Sequence, residues 1–296
     1  MALTLAEAAK LSNDVLLAGV IETIINESPV LQVMPFIEIV GNSLTYNREN
    51  TAPTVSFFDV GDTWTESTPT FTQVTATLKI LGGDADVDNY LSSTRSNVQD
   101  LEAAVVQLKA KALQQKFDDT FINGDIATDA KAFDGIDKLT DSGQIVSMGT
   151  NGGTLTLEKL DETIDTLKGG KPDMLLMSKR SRRKLTSLSR ATGSGITETD
   201  RNEFGQMVQF YDGTPIGISD WISESQTVGT STDTSTIYAL QYGEGGVAGL
   251  SGPGGLQVER IGSLETRDAT RTRVKWYISI ALFNTLKLAK LIGVRD

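Results

Sequence analysis

The chain has 296 residues, enough for one large domain or two ordinary ones with a substantial buried core. Its 38 acidic residues outnumber 27 basic ones, and the net charge of -11 disfavours tight, general binding to nucleic acid or anionic lipid. Cysteine and histidine are both absent, which excludes disulfides, thiolate and imidazole metal ligands, and the most common proton-transfer residue of enzymes. No run approaches 18 apolar residues, so we expect a soluble protein made in the cytoplasm, without a membrane partner.

The first forty residues predict an N-terminal arm. A helical pattern extends to about Ile25, and Pro29 and Pro35 then disfavour helix in the residues before them. We expect this segment to lie extended against another surface.

An alternating ribbon follows the arm. From Ser43 the apolar residues Leu44 and Tyr46 recur with period 2, and a second run of the same kind ends at Ile80. The polar segment DVGDTWTESTPT between the two runs predicts a hairpin tip with one large side chain, Trp64. An isolated hairpin is marginally stable in water, and this chain offers it no evident surface, so we expect a neighbouring subunit to cover it.

Helical periodicity begins at Ser96, which forms a capping-box pattern with Gln99 and opens a predicted helix of about 20 residues. Its predicted apolar stripe includes Val105 and Leu108. The middle third predicts short mixed elements: a helix over 157–167, the buried strand PDMLLMS, the basic helix KRSRRKLTSLSR, the loop ATGSGITETD, and a hairpin turning at Asp212 and Gly213. Strands dominate the rest of the chain.

Three motifs with known chemistry are outweighed by plainer interpretations. The segment GEGGVA matches a dinucleotide loop, but the residues after it do not predict a helix, so we favour a glycine turn. The segment DADVD has the first spacings of a calcium loop but lacks its glycine and closing glutamate, so we favour an acidic strand edge. Ser178 and Lys179 are the kind of pair that could serve catalysis, but no nucleophile turn accompanies them and we predict no enzyme and no cofactor.

Clusters of cations are the most informative charges. Arg180 and Arg183 lie in the basic helix, where a solvated face, a subunit contact and phosphate binding all remain open. Alternate positions of RDATRTRVK place several cations on one strand face, with no local acid on that face. This row of cations favours an acidic partner such as the DVGDTWTES tip of another copy. The residues predicted at subunit interfaces are Asp62, Trp64, Glu66, Arg180, Arg183, Arg267, Arg271 and Arg273.

The order of these elements resembles that of the major capsid proteins of tailed bacteriophages, whose shell fold is named for phage Hong Kong 97. The resemblance covers nearly the whole chain and rests on GNSLTYNRE, FTQVTATLKILGGDADVDNYL, LKAKALQQKFDDTFINGD, FDGIDKL, YDGTPIGISDWI and VKWYISIALFNTLKLAKLIGV. It implies an α+β fold with an N-terminal arm, an extended β-hairpin called the E-loop, a P-domain with a long spine helix, and a mixed A-domain.

The resemblance also implies domain boundaries. These are the arm at 1–42, the E-loop at 43–83, a first P-domain segment at 84–133, the A-domain at 134–246, the returning P-domain strands at 247–283 and a closing A-domain strand at 284–296. Gly82 and Gly83 are predicted as a hinge between the E-loop and the P-domain. Some members cross-link a lysine, and Lys79 lies in the corresponding element, although the sequence does not identify its partner.

The function implied is structural: copies assemble as pentamers and hexamers into an icosahedral virion shell that encloses double-stranded DNA as cargo. A separate scaffolding protein and a portal are the implied partners, with a cement protein as a further candidate. Two alternatives remain, a bacterial nanocompartment shell of the encapsulin type and a carboxylate-dependent hydrolase.

Overall fold

The computed structural model describes residues 28–51, 53–95, 101–192, 197–201 and 207–295. The helices in these ranges are α1 (Pro29–Val33), α2 (Asn89–Arg95), α3 (Leu101–Asn123), α4 (Ile136–Leu139), α5 (Leu157–Thr166) and α6 (Lys179–Thr192), with 3-10 turns at Ser142–Gln144 and Thr285–Lys287. The strands are β1 (Phe36–Glu38), β2 (Ser43–Thr51), β3 (Thr70–Thr77), β4 (Lys79–Asp88), β5 (Ile145–Ser147), β6 (Gly153–Thr154), β7 (Met174–Met177), β8 (Thr197–Arg201), β9 (Met207–Tyr211), β10 (Thr214–Ile218), β11 (Gln226–Val228), β12 (Ser231–Leu240), β13 (Val247–Ser263), β14 (Ala269–Leu282) and β15 (Leu288–Arg295).

The predicted α+β class is confirmed. One sheet has four strands in the order β1-β13-β14-β4, and the α3 helix packs against it. Alternation along β4 and β14 directs apolar side chains to the helix side, where Val105 of α3 meets Ala85 and Val87. Near its C-terminal end, α3 places Phe117 and Phe121 in the main core beside Ile278 of β14.

A second sheet has nine strands and forms the centre of the middle region. Its path is β5-β15-β12-β7-β10-β9-β8, with β11 added on β12 and β6 added on β15. The helix predicted over 157–167 is confirmed as α5, whose apolar face packs Leu160 and Ile164 into the core with Leu185 of α6. The predicted turn between β9 and β10 is also confirmed, with Asp212 and Gly213 both at positive φ, 47° and 77°.

The structure differs from the sequence-based prediction at three places. Part of the predicted loop ATGSGITETD is strand, since β8 pairs antiparallel with β9. The apolar run predicted to end at Ile80 is divided, since β3 ends at Thr77 and pairs with β2, whereas β4 begins at Lys79 and pairs with β14, leaving Ile80 exposed. On α3, Leu108 is 41 % exposed although it belongs to the predicted apolar stripe, because the sheet covers only part of the helix.

Some predictions fall outside the described residues. These are the helix of the arm to about Ile25 and the capping box of Ser96 and Gln99.

Gly82 and Gly83 lie within the regular pairing of β4, opposite Lys275 and Val274. The hinge there stays a prediction.

Candidate assembly interface

The base of the β2–β3 hairpin is attached to its own chain. The Tyr46 hydroxyl donates to the Leu282 carbonyl at 2.9 Å, and the Tyr46 and Phe283 rings lie 4.8 Å apart. Leu44 and Leu78 pack in the same small cluster as Ile39, Leu250 and Ala281. The expectation that the chain offers the ribbon no surface is therefore wrong for its base.

The tip of the hairpin, residues 53–69, projects into solvent. Val55, Phe57 and Val60 are each more than nine-tenths exposed, although they are large apolar side chains. Exposed apolar groups gathered on one loop are typical of a surface that another molecule covers.

Local contacts nevertheless order the tip. The Trp64 ring stacks on Phe58 at 4.4 Å, and the Asp62 carboxylate accepts a hydrogen bond of 2.7 Å from the Asp59 backbone. Asp62, Trp64 and Glu66 are all exposed, and residues 53–78 contain no Lys or Arg. The tip therefore presents an ordered, acidic and partly apolar surface.

The cations of RDATRTRVK have acidic partners within the chain. Antiparallel pairing places Arg271 opposite Asp86 and Arg273 opposite Asp84. Arg271 and Arg267 each contact Asp86 at 2.7 Å, and Arg273 contacts Asp84 at 2.7 Å. Hydrogen bonds from Arg271 and Arg273 hold the pKa values of Asp86 and Asp84 below their usual range.

This ladder corrects the reasoning from sequence, which found no acid of the same parity near these cations. The acids lie in DADVD, on the neighbouring strand, and their period-2 spacing matches that of Arg271 and Arg273. The matching spacings were a signal that could have predicted the pairing. An intermolecular role for Arg267, Arg271 and Arg273 stays a prediction, but it no longer follows from a missing acid.

The basic helix α6 presents its two predicted interface residues differently. Arg180 is half-buried, and its side chain donates to the Asp233 carbonyl at 2.7 Å. Arg183 lies on the exposed face. Leu185, by contrast, is buried in the core. Arg180 thus contributes to the fold of its own chain, whereas Arg183 lies where a neighbour could reach it.

The remaining motifs have structural explanations. In GEGGVA the residue after the glycines, Val247, begins strand β13, so no helix N-terminus is available there for a pyrophosphate. Within the described residues, no group of three or more carboxylates is arranged to hold a metal ion. None of the helices in the described part of the chain is long and apolar enough to span a membrane.

The chain thus combines two sheets, a long helix on the smaller one and a projecting hairpin. A model of the phage capsid family matches residues 11–245, and the chain belongs to this family. It is a structural major capsid protein. A search of curated protein sequences gave no match.

Solved structures share the fold at low sequence identity. The SrpI encapsulin from Synechococcus elongatus is 18 % identical with a TM-score of 0.71, covering 90 % of this chain and 86 % of its own. A capsid of an empty GTA particle is 14 % identical with a TM-score of 0.65, covering 90 % and 89 %. A structure from Mycobacterium phage Bobi is 13 % identical with a TM-score of 0.63 and covers 100 % of both chains.

Proposed function

We propose that this chain assembles as pentamers and hexamers into an icosahedral virion shell that encloses double-stranded DNA. The observation that carries the proposal is the membership of the phage capsid family, together with an ordered hairpin tip that its own chain leaves exposed. Contacts within a ring are head to tail, so two different faces of the subunit must be complementary. The tip supplies one such face.

The domain boundaries follow from the same proposal. The hairpin and its tip form the E-loop at 43–83, and α3 is the spine helix of a P-domain made of residues 84–133 and 247–283. This grouping is supported by the four-stranded sheet, because it joins β4 to β13 and β14 although they lie far apart in the sequence. The A-domain corresponds to the nine-stranded sheet, at 134–246 with the closing strand in 284–296.

The tip is proposed to contact a neighbouring copy near β14. Its acidic residues Asp59, Asp62 and Glu66 complement the cations of that strand, although those cations also have intramolecular partners. The double variant Arg273→Asp with Asp84→Arg keeps an intramolecular ion pair but places the negative charge on β14 and the positive charge on β4. If the tip meets this face, the double variant folds normally but assembles poorly. Normal assembly would remove this contact from the proposal.

Electron microscopy of the purified protein tests the shell itself. We expect closed particles, formed by the chain alone or after addition of a scaffolding protein. A protein that sediments only as a monomer under both conditions would contradict the proposal.

A scaffolding protein, a portal and a cement protein are the further partners we propose, with assembly in the host cytoplasm.

A nanocompartment shell is the second candidate, favoured by the TM-score of 0.71 with an encapsulin. The contents of particles isolated from their natural source separate the two. DNA inside supports the virion shell, whereas an enzyme held by a short peptide supports the compartment.

A further inference from the structure

Asp118 on α3 is a buried carboxylate beside the start of α1. Its residue is 5 % exposed, and its Oδ1 accepts a hydrogen bond of 2.5 Å from the Ser28 hydroxyl. Ser28 is also the N-cap of α1, since its hydroxyl oxygen accepts from the Leu31 backbone at 3.2 Å. One serine therefore connects the first turn of α1 to the carboxylate of α3.

Among the residues that the structure describes, no Lys or Arg forms an ion pair with Asp118. A small cavity beside it is lined by uncharged residues of α1, by Ile122, and by the segment after β10 that contains Asp220 and Trp221. Asp220 binds Lys179 at 2.6 Å. On α3 itself, the neighbouring Asp119 binds Lys116 at 3.0 Å. Lys116 and Lys179 are thus each paired with a carboxylate other than Asp118.

The proton affinity of Asp118 depends on this burial. Burial raises the pKa of Asp118 to about 6, although the hydrogen bond from Ser28 lowers it. Undocking α1 would admit water to the carboxylate and return its pKa toward the ordinary value of 3.8. When the pH lies between these two pKa values, docking is accompanied by the uptake of a proton. Docking therefore weakens as the pH rises toward the docked pKa.

We propose that Asp118 and Ser28 form a proton-dependent latch, which holds α1 against α3 in mild acid and loosens it near neutral pH. The latch is independent of the shell proposal, because both of its residues belong to one chain.

Hydrogen exchange of the unassembled full-length protein between pH 5 and pH 7.5 tests the latch. The Met34 amide, which donates to the Val30 carbonyl at 2.8 Å, reports the docking of α1. After correction for intrinsic exchange, we expect its protection to fall about tenfold from pH 5 to pH 7 and to level off above the docked pKa. Constant protection in the wild-type protein would overturn the latch.

Three variants complete the experiment. Asp118→Asn keeps the shape but cannot ionise, so its protection should not change with pH. Ser28→Ala removes the donor that favours the ionised form, so the pH at which protection levels off should move higher. Asp119→Asn, the matched control one residue away, should keep the wild-type profile. An Asp118→Asn protein that retains the wild-type pH dependence would also overturn the latch.

Discussion

Arg271 binds Asp86 through two parallel hydrogen bonds, from Nε to Oδ1 at 2.7 Å and from Nη2 to Oδ2 at 2.8 Å. Asp86 is only 4 % exposed. We expect Asp86→Asn to lower the free energy of unfolding by about 2 kcal/mol, because charge-assisted bonds are lost at a buried site. Asp84→Asn, on the same strand face, should cost less than about 1 kcal/mol because its ion pair is more exposed. Urea unfolding measures both, and equal losses would argue against the burial of Asp86 as the cause.

The contribution of Asp86 should also depend on pH. Hydrogen bonding to Arg271 lowers the pKa of Asp86 in the folded protein below its ordinary value of 3.8. Its contribution is therefore fully present above the unfolded pKa and is lost as the pH falls through the folded one. We expect the stability difference between wild type and Asp86→Asn to shrink progressively below about pH 4. Urea midpoints at a series of acidic pH values measure it, and a difference that stays constant would contradict the ionic origin.

The hairpin tip should be dispensable for folding and required for assembly. Deleting residues 62–68 removes a segment that is exposed in the subunit, so we expect an unchanged melting temperature and a strongly reduced particle yield. Phe57→Ser should act in the same direction, because its ring is fully exposed. Calorimetry and electron microscopy supply the two readouts.

Val40→Ser is the matched control for the tip, since Val40 is 94 % exposed but lies outside the hairpin. If Val40→Ser reduces particle yield as much as Phe57→Ser does, the effect is not specific to the tip. Full particle yield from the deletion variant would contradict the E-loop assignment.

Gly82 should be sensitive to substitution, unlike its neighbour Gly83. A Cβ at Gly82 would lie 2.6 Å from the Val274 carbonyl oxygen, whereas one at Gly83 would meet only the Lys109 side chain, at 3.9 Å. We expect Gly82→Ala to cost about 2 kcal/mol of unfolding free energy and Gly83→Ala to cost less than about 1 kcal/mol. Chemical denaturation of both proteins makes the comparison. Equal costs would show that the glycines matter for chain flexibility and not for the close approach of β14.

Local patterns predicted most elements correctly. Helical spacing around Leu160 depends on neighbours within a few positions, and that helix forms as predicted. Alternation around Val74 correctly predicted a strand, but β3 ends at Thr77 instead of Ile80. The Asp212–Gly213 turn is equally local, because positive φ is a property of the dipeptide. The strand β8 was missed because TETDR has no apolar alternation, and it forms by pairing with β9.

The candidate interface was predicted less completely. Exposure of the tip followed from its polar sequence, but the attachment of the hairpin base through Tyr46 to Leu282 did not, because these residues are 236 positions apart. Asp118 gave no signal at all, since an aspartate beside Asp119 on a long helix has the pattern of a solvated face. Its burial arises only where α1 closes over α3.

The amino-acid sequence by itself determined the order of the elements, the absence of thiol and imidazole chemistry, and an acidic hairpin tip predicted to contact another subunit. These features follow from composition and periodicity, which are local properties. Only the tertiary structure decided which charges neutralise one another and which carboxylate is buried. Arg271 and Asp86 are 185 positions apart, and their contact exists because strand register brings them opposite each other. Register is set by the packing of the whole sheet, so the matching spacings of the two segments could suggest this pairing but could not fix it.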